Sequence, residues 1–202
     1  MKSDARVIKG EVMKLQIFST SLDIIAKEGL YGLSAKKIAD QLNVSKSNIF
    51  HHFPSIELLK ETLLDQTLAH LLTWDAAPVN PDTCLDDFFE HLIEQSLGIS
   101  DADKVGYSAL LQFHTACLHE PSYKSKFLIA KNLAVTSLAN ALSSYSKCSE
   151  KNRSEIANAI VMVLDGFGLH YLLEEDSESI KSVWNSMCIH WKQQLITGGQ
   201  DD

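Results

Sequence analysis

Apolar side chains recur at steps of three and four along most of this chain, and the steps break only at a few prolines, glycines and polar clusters. Pro54, Pro78, Pro81 and Pro121 all fall between periodic stretches, as in a protein built from helices alone. Leu15, Phe18, Leu22 and Ile25 mark one face of a first helix over about Lys9 to Lys27, with Gly29 as its stop. Ser34 then caps a short helix ending near Gln41, and Ser45 caps another that carries Ile49 and Phe53 until Pro54 ends it. A fourth helix starts at Ser55 and runs through Leu58, Leu59, Leu63, Leu68 and Leu72. Five more are expected over residues 82–97, 103–118, 122–145, 150–174 and 177–196. The last is amphipathic through Ile180, Val183, Trp184, Met187, Cys188, Trp191 and Leu195, and the one before it is apolar nearly all round, which calls for burial on more than one side. No alternating strand pattern of useful length occurs, so the fold class is all-α.

Composition sets the outer limits. The 202 residues, 45% of them hydrophobic, suffice for a real core. No run of about 18 apolar residues marks a membrane span, and the start of the chain lacks a signal peptide's apolar stretch, so a cytoplasmic protein with no membrane partner is expected. Cys84, Cys117, Cys148 and Cys188 stand alone, without the pairing of a thiolate metal site; they read as reduced, buried thiols. The net charge of −8 argues against a nucleic-acid partner until it is divided by position. Residues 1–60 carry nine Lys/Arg against six Asp/Glu, whereas residues 61–202 carry nine against twenty. The basic excess is N-terminal, where the short helices lie.

Two short helices joined by a tight turn can place the second in the DNA major groove, about 12 Å wide, while the first crosses the backbone. The turn needs a small residue where the helices pack, a residue tolerant of positive φ, and an apolar residue that locks the angle. Ala39, Asn43 and Ile49 supply these at steps of four and six. An ordinary helical hairpin could carry that triplet. Over residues 10–60, however, Gly29, Ser34, Ile38-Ala39, Asn43-Val44-Ser45, Phe50-His51-His52-Phe53, Pro54-Ser55 and Leu58-Leu59 follow in the order and spacing of the DNA-binding region of the TetR family, which this stretch resembles. Asn43 stands where the family has Gly, Phe50 where it has Tyr, and Ile56 where it has Lys; the last two changes remove phosphate contacts.

The resemblance implies a helix-turn-helix domain over residues 1–54 and a six-helix ligand-binding and dimerisation domain over 55–202. It implies a repressor, bound to a palindromic operator in double-stranded DNA as a homodimer and released by a small-molecule effector. By their chemistry Lys46, Ser47, Asn48 and His51 are the residues for base edges, and Ser34, Lys36, Lys37, Ser45 and His52 those for phosphates. Tyr107, Phe113, His114, Cys117, Phe167 and His170 are candidates for an effector pocket, although aromatic residues at helical spacing are more often core and a lone His more often hydrogen-bonded structure than ligand contact. Dimerisation is expected through Ile160, Val163, Phe167, Trp184, Met187 and Trp191. The sequence holds no phosphate-cradling glycine loop, nucleophile elbow or metal-ligand spacing, so neither catalysis nor a cofactor is expected. The rival reading is a helix-turn-helix protein that organises DNA or binds a protein partner, with no inducer.

Overall fold

The computed structural model describes residues 2–72, 84–97, 101–174 and 176–198. These form nine α-helices and no strand: α1 (Lys2–Glu28), α2 (Ala35–Leu42), α3 (Lys46–His52), α4 (Ile56–Leu72), α5 (Leu85–Leu97), α6 (Asp101–Ala116), α7 (Pro121–Leu142), α8 (Glu150–Glu174) and α9 (Ser177–Thr197). The Pro78/Pro81 connection lies outside the described residues. By packing, the chain divides into two compact units, one drawn from Met1–Ala69 and Asp101–Phe127, the other from His70–Ser100 and Leu128–Asp202.

In the first unit α1 packs against α2 and α6, and α2 against α3. The first helix differs from its sequence reading in two ways. It begins at Lys2 rather than near Lys9, since no proline or glycine pair stops it earlier. Its core face is Ile17, Ser21, Ile24 and Ile25, while Leu15 is 68% exposed. Ser21 hides this face from a hydrophobicity pattern: it is fully buried because its hydroxyl donates to the Ile17 carbonyl at 2.6 Å. Gly29 stops the helix at φ 77, a conformation costly for any side chain bearing a Cβ. Across α6 and the start of α7, Phe113 meets Tyr123 edge to face at 5.8 Å. Lys126 of α7 donates to both carboxylate oxygens of Asp65 on α4 at 2.8 and 2.6 Å.

The second unit has a core of its own. Trp184 of α9 is buried, donates its indole N–H to the Phe89 carbonyl at 3.1 Å, and lies edge to face with Phe89, Phe167 and Trp191. Asp176 caps α9, its carboxylate accepting from the Glu178 and Ser179 amides at 3.1 Å. On α8, Ile156, Ala157, Ile160, Val161, Leu164 and Gly168 are buried, and α5 and α9 both pack against the helix. Among the described residues only α8 is long and apolar enough to suit a bilayer, and its inward face accounts for part of that character. All four cysteines are free. Cys148 and Cys188 are buried as expected, but Cys117 is half-buried and Cys84 exposed, because Cys84 sits at the start of α5, where its Sγ accepts from the Asp87 amide.

Candidate nucleic-acid interface

The turn between α2 and α3 is built as its residues require. Asn43 holds φ 55 and ψ 41, the left-handed region, and is the one non-glycine with positive φ among the described residues. Its amide reaches back to the Ala39 and Asp40 carbonyls, so α2 ends with its last groups satisfied. Ala39 is 2% exposed and Ile49 fully buried, which fixes the α2–α3 angle through one small and one large side chain. Ser34 and Ser45 are the N-caps, accepting from the Lys37 and Asn48 amides at 3.3 Å each. Capping does not consume a hydroxyl's whole capacity: the Ser45 hydroxyl also bonds that of Ser47 at 2.8 Å.

With Ile49 turned inward, α3 presents Lys46, Ser47 and His51 to solvent, and Asn48 lies half-buried beside them. The Asn48 Oδ1 is shielded and has no hydrogen-bond partner. Pairing with adenine through both amide atoms requires that oxygen to swing outward, and no bond within the protein holds it back. Lys36 is exposed, whereas Lys37 forms an ion pair with Glu28, with which a phosphate would compete. His51 and His52 lie edge to face, 5.3 Å between ring centroids. Burial pushes the His52 pKa down, and the charges of His51 and Lys14 push it the same way against Glu11. No pattern in the sequence points to Lys14 and Glu11, since only the packing of α1 beside α3, with Phe18 on Phe53 at 5.4 Å, brings them to His52. Phe50 is 43% exposed and offers a ring without a hydroxyl.

The remaining sequence candidates separate between the two units. Tyr107 and His114 of α6 and Cys117 in the turn just after it are half-buried, while Phe113 is fully buried. The His114 Nε2 is shielded without a partner, its ring lies 4.4 Å from that of Phe127, and burial holds its pKa down. Burial likewise raises the Cys117 thiol. In the second unit Phe167 is half-buried against Trp184, and His170 is exposed and bonded to Glu174 at 2.9 Å. Of the residues expected at a dimer interface, Ile160, Trp184 and Trp191 are buried by their own chain and Val163, Phe167 and Met187 half-buried. The exposed apolar positions on the same helices are Met162, Leu169 and Leu173 of α8 and Val183, Ile189 and Ile196 of α9. No group of three or more metal-ligating side chains occurs among the described residues.

A capped two-helix unit with a tight left-handed turn and a polar, partly basic second helix has the geometry of a helix-turn-helix. Residues 17–63 match the family model described as bacterial regulatory proteins, tetR family, so the N-terminal domain is that of a TetR-family transcriptional regulator. The whole chain has the TetR-type fold. A transcriptional regulator from Rhodococcus sp. Rha1 superposes with a TM-score of 0.75 at 17% identity, over 90% of this chain and 96% of that one. A Saccharomonospora viridis protein described as a transcriptional regulator, in complex with choline, gives 0.75 at 18% identity over 89% and 97%. A TetR transcriptional regulator from Legionella pneumophila gives 0.63 at 19% over 88% and 95%. No curated protein matches the chain by sequence.

Proposed function

We propose that the chain is a ligand-responsive repressor, acting in the cytoplasm as a homodimer on a palindromic operator and released from it by a small molecule. The observation that carries this reading is α3 itself: capped at Ser45, fixed by Ile49, and exposing Lys46, Ser47 and His51 with Asn48 beside them. One such helix reads only a few base pairs, so a two-fold pair is needed for a useful site. The uncovered apolar positions of α8 and α9 are a surface that a second copy would bury. In this reading residues 1–54 read DNA and 55–202 hold effector and partner. His114 supports an effector site on α6, because a shielded ring nitrogen without a partner costs free energy that a ligand's polar group would recover. The S. viridis neighbour holds choline, and the acidic balance of residues 61–202 makes a small organic cation the first effector to test.

The test is selection of bound fragments from genomic DNA at stated salt, with wild type, Asn48→Ala and His51→Ala, followed by titration of choline. The reading expects a palindrome that relaxes in the variants and loses affinity when the effector binds. Salt-sensitive general binding with no enriched sequence would refute it and favour a DNA-organising role.

A further inference from the structure

The side of α4 that meets the start of α7 carries more carboxylates than cations. Glu57, Glu61 and Asp65 recur every four residues, one stripe along α4. Asp65 has its cation: Lys126 of α7 donates to both of its oxygens, and this contact lays the start of α7 beside the stripe. One turn before Lys126 stands Tyr123, and Glu120 is the last residue ahead of α7. Tyr123 is 8% exposed, its ring is edge to face with Phe113, and its hydroxyl hydrogen-bonds to no described residue. Burial raises the pKa of that hydroxyl, and Glu61, Glu120, Glu57 and Tyr31 raise it further, so the three carboxylates are within electrostatic reach of it and no cation opposes them. Among the described residues none of these three carboxylates is ion-paired. Lys60, on the same helix, lies over the Tyr31 ring, 6.0 Å from its centroid. A nearly buried hydroxyl without a partner, beside carboxylates without a cation, holds free energy that a bound ligand would recover.

We propose that Glu57, Glu61 and Glu120, together with the Tyr123 hydroxyl, form a binding site for an aliphatic diammonium ion. None of these residues belongs to the effector site on α6, so the site goes beyond that reading. Among the described residues no three metal-ligating side chains come together, so the carboxylates are too widely spaced for one small metal ion. Glu57 and Glu61 stand about 6 Å apart along the helix axis, a separation that two ammonium groups on a short carbon chain can span, one to each carboxylate. Ammonium N–H groups make the strong, charge-assisted bonds that carboxylates accept, and the Tyr123 oxygen accepts another. Choline, which has no N–H, offers none of these bonds. The site lies in the same compact unit as α3, and an occupant would tie α4, the helix that follows α3, to the start of α7.

The experiment is calorimetric titration of the full-length protein with 1,4-diaminobutane at constant ionic strength, for wild type, Glu61→Gln, Tyr123→Phe and His114→Ala, with circular dichroism confirming the fold. Glutamine is a good helix former and phenylalanine keeps the ring against Phe113, so both site variants preserve the packing. Wild type is expected to bind the diamine more tightly than butylamine, and Glu61→Gln and Tyr123→Phe are each expected to weaken binding by about fivefold. Should Tyr123→Phe fail to fold, Glu61→Gln decides alone. No binding to wild type, or a folded site variant that binds as wild type does, overturns the proposal and leaves a solvated acidic face. Butylamine or magnesium ion bound as tightly as the diamine overturns it in favour of general attraction of cations. Binding that is lost in His114→Ala and kept in Glu61→Gln overturns it in favour of the α6 site, and the effector reading then stands without it.

Discussion

His52 gives the DNA-binding reading a pH signature whose sign follows from the structure. In the free protein its pKa lies below 6.5, lowered by burial and by the neighbouring His51 and Lys14, with Glu11 opposing. A phosphate brought against the ring stabilises the imidazolium and raises the pKa, so the protein takes up a proton as it binds. Each proton taken up strengthens binding up to tenfold per pH unit between the free and bound pKa values, about 1.4 kcal/mol. Two copies of His52 in a dimer give a ceiling of roughly a hundredfold per unit. Stability runs the other way. Because the folded pKa is depressed, the unfolded chain takes up the proton first as pH falls below 6.5, and the stability present above that value is lost progressively toward the folded pKa. His114, lowered by its own burial, adds to the loss in the same direction. Anisotropy titrations of a labelled duplex from pH 8 to 6 at constant salt, with circular dichroism confirming the fold, read the effect. Affinity rises on acidification in wild type and rises less in His52→Gln. A flat or falling wild-type curve, or an identical slope in His52→Gln, refutes the assignment of His52 to phosphate.

Replacing Asn43 by Val forces a β-branched residue into the left-handed region and is expected to cost about 1–2 kcal/mol in thermal unfolding, while Asn43→Gly stays close to wild type. Trp184→Ala removes the largest fully buried ring of the second unit and the indole N–H that the Phe89 carbonyl accepts; a loss of roughly 3–5 kcal/mol is expected in denaturant unfolding. Leu169→Glu combined with Ile189→Glu places charge on exposed apolar positions of α8 and α9 without touching the core. Under the proposed homodimer, sedimentation is expected to give a dimer for wild type and a monomer for the variant, with weaker DNA binding as the consequence.

Punctuation and capping made most of the fold legible in the sequence, and side-chain direction made the rest illegible. Ser34, Asn43 and Ser45 act through bonds to backbone groups three or four residues away, so their roles can be read from neighbours in the chain. The core face of α1 could not be read that way. Ser21 is polar in composition but apolar in effect, since its hydroxyl is satisfied by the turn before it, and a pattern search settles on exposed Leu15 instead of buried Ile17. The aromatic residues of α9 show the same limit. The spacing of Trp184 and Trp191 suits a face for a partner, yet both are covered within their own chain by residues of α5 that lie far off in sequence. Periodicity states that a face is buried without stating what buries it. The proposed base-reading surface is the more legible candidate because α3 needs one inward residue, Ile49, to fix the direction of the outward ones. The proposed effector site has no such anchor: Tyr107 and His114 lie two turns apart on α6 with Cys117 in the turn that follows, and the partnerless nitrogen that distinguishes His114 exists only once Phe127 is packed against it.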